Sequence, residues 1–484
     1  MPLSNKESTE RMDNLNRGRR KWFVLAAIGT STFMSALDTS VVNSILPVII
    51  RSLGSDIATI QWVVTIYLLI VSGLLLSFGR LGDLRGHKPF FLLGFGIFIL
   101  SSAFCGLASS AGWLIAFRGL QALGAAMLAA NSPAILTKNF PATQRGQALG
   151  LQATMTYLGL MVAPSIGGWL TDSFTWRAVF FINIPVGLLA FSLSWLFIPA
   201  EEKPAHTERF DLTGALLFLA GLVALLLWLN QGHDWGWITP VSVLSLTIAI
   251  VCLVLFTRIE YRLSSPMLDM SLFKDSVFSL SIISAILIYM AIFSILFLMP
   301  FYLIQGRELN PSQAGLILTI QPLVMAISAP FSGTISDRFG TRVPCILGMG
   351  ILSFGLFFLT RLEPSTSYSD IAVALGIAGL GIGTFISPNN SAIMGSAPRH
   401  RQGIAAAILA TARSVGMVLG IGLSGAILTT ILSNSSGDEV LFKYVQASFY
   451  AAFGIAILGL IVSAVKINNR IRVKGNNNER VETR

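Results

Sequence analysis

The chain has 484 residues, is 54% hydrophobic and only 12% charged, and carries a formal net charge of +10. A soluble domain carries about a quarter charged residues, so this composition leaves too little polar surface to cover a water-soluble fold and reads instead as membrane spans. The Lys and Arg residues sit in alternate loops, which excludes a nucleic-acid surface as the meaning of the positive charge.

A span needs about 20 apolar residues, because ~30 Å of hydrocarbon is crossed at ~1.5 Å per residue. The apolar runs predict helices at 23–49, 57–81, 88–108, 111–132, 146–170, 177–198, 212–231, 239–257, 276–303, 312–335, 343–361, 369–395, 403–430 and 447–466. The expected fold class is an all-α membrane protein with fourteen transmembrane helices. The helix at 239–257 is short and follows a brief turn. Residues 1–22 are basic and polar, precede a long span and show no small-residue cleavage site, so they read as a retained cytoplasmic tail. With that end inside, the outer loops hold only Arg51, Arg177, Arg307, Arg361 and Lys443 of the 33 Lys and Arg residues, while Arg118 and Arg413 fall within spans. Such asymmetry orients the chain by the positive-inside rule, and an even number of spans then puts both termini in the cytoplasm. Cys105, Cys252 and Cys345 have neither disulfide nor metal spacing.

A loop motif occurs twice. Gly79–Lys88 follows the second helix and Gly333–Arg342 follows the tenth, and both read G-x-x-x-D-x-x-G-x-[KR]. In the first copy the residues are Gly79, Asp83, Arg85, Gly86 and Lys88. In the second they are Gly333, Asp337, Gly340 and Arg342. The glycines allow close helix approach and a tight turn, and the charges form a candidate gate on the cytoplasmic face. The duplication implies two six-helix bundles at 23–198 and 259–466. A cytoplasmic linker at 199–210 and an inserted helix pair at 211–258 lie between them, and a polar tail follows at 467–484. Parallel halves of this kind place a substrate site at their interface near the midplane.

Further motifs carry a family resemblance. The first helix holds Leu37-Asp38-Thr39-Ser40-Val41-Val42-Asn43-Ser44-Ile45-Leu46-Pro47. The fourth holds Arg118-Gly119-Leu120-Gln121-Ala122-Leu123-Gly124, and the fifth holds Gly159-Leu160-Met161-Val162-Ala163-Pro164-Ser165-Ile166-Gly167-Gly168. Phe181-Ile182-Asn183-Ile184-Pro185 opens the sixth. Together with the duplicated loop, they resemble the major facilitator superfamily, specifically its fourteen-helix drug:proton antiporters. Ala163 stands where that pattern has glycine, and it is still small. The resemblance implies the major facilitator fold and a secondary active transporter, not an enzyme. It implies proton-coupled export of amphipathic drugs across the cytoplasmic membrane, without a cofactor or metal. The partners would be a small-molecule substrate, protons and the lipid bilayer, with no nucleic acid, and the chain would act as a monomer. The alternative is export of one specific metabolite, such as an amino acid, peptide or siderophore.

Asp38 is the expected proton-coupling residue and Arg118 its partner. An Asp well inside a span costs ~2.5–3.5 kcal/mol and therefore faces a cavity or a partner. Burial opposes the charged form of a carboxyl and a neighbouring cation favours it, so such a group can be poised to exchange a proton. Met34, Asp38, Val42 and Ile45 share one helical face, read as lining the central cavity. Gly159, Pro164, Gly167 and Gly168 are expected to let the fifth helix pack closely and rock. The last six helices offer no carboxylate near the membrane centre, which argues against a dicationic substrate and leaves a monovalent cation, a neutral amphiphile or an anion. Gln121, Asn131, Gln321, Asn389 and Arg413 complete the substrate-binding candidates. Arg413 reads first as a gating or packing group and second as a substrate contact. Asn389 reads either as a substrate contact or as a partner for kinked backbone.

Overall fold

In the computed structural model, residues 5–141, 144–199, 210–236, 238–261, 270–398, 402–434 and 440–465 are described. The described residues form helices and turns and no strand. Most of the linker predicted at 199–210 and all of the tail predicted at 467–484 lie outside them.

The first six long helices are α1 (Asn5–Leu53), α2 (Trp62–Arg85), α3 (His87–Gly106), α4 (Ala111–Asn139), α5 (Arg145–Ser173) and α6 (Asn183–Phe197). Two follow, α7 (Leu212–Trp235) and α8 (Pro240–Glu260). The last six are α9 (Ser276–Pro300, continued by a π-helical turn Phe301–Gly306), α10 (Pro311–Phe339), α11 (Arg342–Leu359), α12 (Tyr368–Ser396), α13 (Gln402–Asn434) and α14 (Val440–Ala464). Helix α1 begins well before the predicted start at 23, so the expected tail continues the helix backwards. Its Glu, Lys, Arg and Met residues favour a helix, although Asn14, Asn16 and Gly18 favour it less.

Thirteen helices among the described residues are long and apolar enough to cross a membrane, and the short α8 is one of them. The count is taken over the described side chains, which leave out several at the start of α5. Gln152, Thr154, Thr156, Gly159, Pro164, Ser165, Gly167 and Gly168 dilute its hydropathy. Helix α5 packs against both α1 and α10, and its small residues Gly159, Gly167 and Gly168 sit at those contacts.

The packing repeats. In the first set α1 packs on α4, α5 and α6, α4 packs on α2 and α3, and α3 packs on α6. In the last set α9 packs on α12, α13 and α14, α12 packs on α10 and α11, and α11 packs on α14. The sets meet through α5 with α10, α2 with α13, and α1 with α9. Helix α7 lies against both α2 and α13, and α8 lies against α7.

The duplicated loop repeats in three dimensions. Gly86 and Gly340 both take positive φ, 91° and 82°, where the chain turns from α2 to α3 and from α10 to α11. A side chain there would be strained. Lys88 donates to the carbonyl of Ile198 just past α6 (2.5 Å), and Arg342 donates to the carbonyl of Ala464 at the end of α14 (2.6 Å). The last position of each copy thus binds free carbonyls at the end of its set's sixth helix. Asp83 is exposed, with Oδ1 3.4 Å from His87 Nε2, and Arg85 is exposed. The Asp337 side chain lies outside the described ones. The first glycines differ, since a Cβ at Gly79 would meet open space while one at Gly333 would press on Ser387.

Candidate functional site

The buried charge of the first six helices is fully enclosed. Asp38 on α1 and Arg118 on α4 have no exposed surface, and Arg118 Nη1 lies 2.6 Å from Asp38 Oδ2. The other carboxylate oxygen accepts from Asn183 Nδ2 on α6 (2.7 Å) and Gln121 Nε2 on α4 (3.1 Å). Gln121 also donates to Ser102 on α3 (2.7 Å) and accepts from Arg118 Nη1 (2.7 Å). Arg118 Nε donates to the Val63 carbonyl on α2 (3.2 Å), and its guanidinium lies over the Tyr67 ring at 4.2 Å. Helices α1, α2, α3, α4 and α6 therefore meet at one ion pair. Three donors on one carboxylate suit its ionised, acceptor-only form. Breaking a buried pair by removing one charge costs ~3–5 kcal/mol, because the other charge is left uncompensated.

The central cavity lies beside this network. It has a volume of about 420 Å³ and is bounded by both sets of helices. Ser31, Thr32, Ser35, Ala36, Thr39 and Ser40 line it from α1, Tyr67 from α2, and Gln152, Thr156, Tyr157 and Pro164 from α5. Tyr289 and Phe293 of α9, Gln321 and Met325 of α10, Asn390 of α12 and Arg413 of α13 face them. The lining runs from Tyr67, Pro164 and Leu318 toward the end of the molecule that carries the duplicated loops, at Ser31 and Gln152.

The opposite end is closed. Asp172 at the end of α5 accepts from the Ser312 N–H at the start of α10 (2.9 Å). Ser165 pairs with Thr319 (2.7 Å), and Arg51 donates to the Ile304 carbonyl (3.4 Å). A Cβ at Gly168 would press on Pro311, and one at Gly315 would press on Pro164. Gly159 and Gly167 face the other way, against Phe33 and Val41 of α1. The glycine motif of α5 thus serves two contacts, one on α1 and one on α10.

Several expected positions require correction. Met34, Asp38, Val42 and Ile45 do not line the cavity. They are buried within the first six helices, and the lining face of α1 is the neighbouring stripe Ser31, Ser35 and Thr39. A charge inside a span needs water or partners, and Asp38 has partners. Gln121 belongs to the Asp38 network. Asn131 is buried, with its Oδ1 2.8 Å from His87 Nδ1. Asn389 donates to the Ser281 carbonyl (3.1 Å), and its neighbour Asn390 reaches the cavity instead. Of the substrate-binding candidates, Gln321 and Arg413 line the cavity. Among the described residues no group of three or more His, Cys, Asp or Glu could hold a metal ion.

Tyr67 was not singled out in the sequence. It lines the cavity and carries the Arg118 guanidinium on its ring, so it is the wall between charge and cavity. A single Tyr in a span gives no sequence signal. Asn183 did give one, since it lies in the Phe181–Pro185 stretch that carries the resemblance, but its role depends on the tertiary approach of α6 to α1. Replacing Tyr67 by Phe should leave substrate affinity and uphill transport unchanged, because the ring remains. Tyr67→Ala should weaken both together, since a desolvated cation–π contact contributes up to ~2 kcal/mol. Binding and uphill transport measured on both variants would test this, and an unaffected alanine variant would exclude a linking role for the ring.

A multi-pass helical bundle with a cavity between two sets of six helices is the framework of a membrane transporter. The chain belongs to the Major Facilitator Superfamily, which it matches over residues 28–421 and 281–484, and is a transporter rather than an enzyme. It is 33% identical over 449 residues to the riboflavin transporter RibZ of Clostridioides difficile (strain 630), covering 92% of this chain and 97% of that protein. It is 33% identical over 416 residues to the multidrug resistance protein Stp of Mycobacterium tuberculosis, covering 86% and 77%. It is 28% identical over 448 residues to the multidrug transporter protein MdtP of Bacillus subtilis (strain 168), covering 91% and 82%.

Proposed function

We propose that this transporter is a proton-coupled antiporter of the fourteen-helix type, which exports amphipathic small molecules across the cytoplasmic membrane. The observation that carries this reading is the enclosed Asp38–Arg118–Gln121–Asn183 network, separated from the cavity by Tyr67. Protonating Asp38 removes the counter-charge of Arg118 and leaves it held by Gln121, the Val63 carbonyl and Tyr67 alone. A rearrangement of Arg118 then moves a wall of the cavity. With the basic loops and both termini inside, the closed end is the outer one and the cavity belongs to an inward-facing state. The matched packing of α1–α6 and α9–α14 supports two bundles that rock about the cavity, with α7 and α8 inserted beside the contact of α2 with α13. One proton moving inward through 100 mV supplies ~2.3 kcal/mol from the potential alone. The direct test is substrate-dependent proton movement in proteoliposomes, and its absence in the wild type would reject antiport.

The second reading is export of one specific metabolite, favoured by the relative named a riboflavin transporter. A broad panel of toxic compounds in an efflux-deficient host separates the two. Protection against several unrelated compounds supports multidrug export, and protection against none supports a dedicated carrier.

A further inference from the structure

We propose that Arg413 selects the cargo by charge, so that the cavity accepts planar aromatic anions in preference to cations. This rests on the reading of the cavity as the transport site. Arg413 is the one charged side chain among the described residues that line it. The other buried charges nearby, Asp38 and Arg118, neutralise each other at 2.6 Å and do not line the cavity. The cavity therefore carries a single positive charge without a carboxylate beside it. Arg413 Nη2 donates to Asn390 Oδ1 (2.9 Å), while its Nε is buried and has no protein acceptor among the described residues. That N–H has no partner among the described residues, and a guanidinium binds a carboxylate through more than one N–H.

The rest of the lining specifies an aromatic body. The guanidinium stands 5.6 Å from the Tyr289 ring, and Tyr157, Tyr67 and Phe293 also line the space. Aromatic faces stack on a planar ring, and the hydroxyl and amide groups between them are neutral. A cation entering this space meets Arg413 with no carboxylate to offset it, whereas an anion meets a fixed counter-charge in a medium of low dielectric. Anion export also changes the coupling. An anion leaving while one proton enters moves two positive charges inward per cycle, against one for a neutral cargo.

The test compares three probes that share one ring system and differ in charge: 2-naphthoate, 2-naphthamide and 2-naphthylmethylammonium. Equilibrium binding is measured on the purified full chain. The wild type should bind naphthoate at least ~10-fold more tightly than the ammonium, with the amide between them. Arg413→Lys should keep that order, and Arg413→Gln should level it while the protein elutes and melts as a folded species. Equal affinities in the wild type, no naphthoate binding, or an order that survives in Arg413→Gln would overturn the proposal. If the order holds while substrate moves no protons, antiport fails and charge selection stands. If proton-coupled efflux runs equally well with cations, charge selection fails and antiport stands.

Discussion

Asp38→Asn is expected to abolish uphill transport while leaving substrate exchange intact. Asn has the shape of Asp and cannot ionise, so the network stays in the state that a protonated Asp38 would create. Loading of proteoliposomes against a gradient should then collapse to equal concentrations on both sides. For one coupled proton at 100 mV, the lost driving force of ~2.3 kcal/mol corresponds to about a fiftyfold gradient. Exchange of labelled for unlabelled substrate needs no proton and should continue. Removing the charge leaves Arg118 uncompensated, at a cost of ~3–5 kcal/mol, so the thermal stability of the variant should fall as well. Asp38→Glu keeps a titratable group and should retain part of the uphill activity. If Asp38→Asn accumulated substrate like the wild type, the coupling role would be excluded.

The second large effect is expected at the closed end. Gly168→Leu places a side chain against the backbone of Pro311 and Ser312, where even a Cβ has no room. Backbone cannot yield as a flexible side chain can, so α5 and α10 must separate there. Overpacking of this kind costs ~1–3 kcal/mol, and it acts only on the state in which these helices touch. The population should shift by about tenfold or more toward the state open at that end. Transport should fall by a similar factor with normal amounts of protein in the membrane. A cysteine placed at Ser165, which pairs with Thr319 across the same contact, should label faster in the Gly168→Leu background. Gly150→Leu is the control on the same helix, since a Cβ there meets open space. Wild-type transport in Gly168→Leu would mean that closure does not pass through this contact.

Much of the fold was legible because the membrane imposes strong rules. Every spanning segment must satisfy its own backbone, so apolar runs of sufficient length read as helices. The runs are unambiguous at α9, where charged residues are absent throughout Ser276–Pro300. They are weakest at α5, where Gln152, Thr154, Thr156 and a run of small residues dilute the apolar stretch. The duplicated loop was legible as well, since a positive φ at Gly86 and Gly340 leaves a local demand for glycine in the sequence.

The site divides along the same line. That Asp38 required a partner followed from its position within a long apolar run, and Arg118 was the cation whose depth, different by roughly 6 Å, a long side chain can bridge. Which way Asp38 faces did not follow. Met34, Asp38 and Val42 form one helical stripe and Ser31, Ser35 and Thr39 form the next, and the period alone assigns neither to the cavity. Only the docking of α6, which brings Asn183 within 2.7 Å of the carboxylate, turned that face inward. The shift from Asn389 to Asn390 has the same cause, a rotation of one residue set by packing against α9. The sequence by itself determined a polytopic helical chain, its internal duplication and its one deep carboxylate, because these depend on local composition and on the cost of charge in hydrocarbon. The tertiary structure decided which residues meet the cavity, placed Tyr67 between charge and cavity, and left Arg413 as its lining charge, because those depend on how helices far apart in sequence rotate against one another.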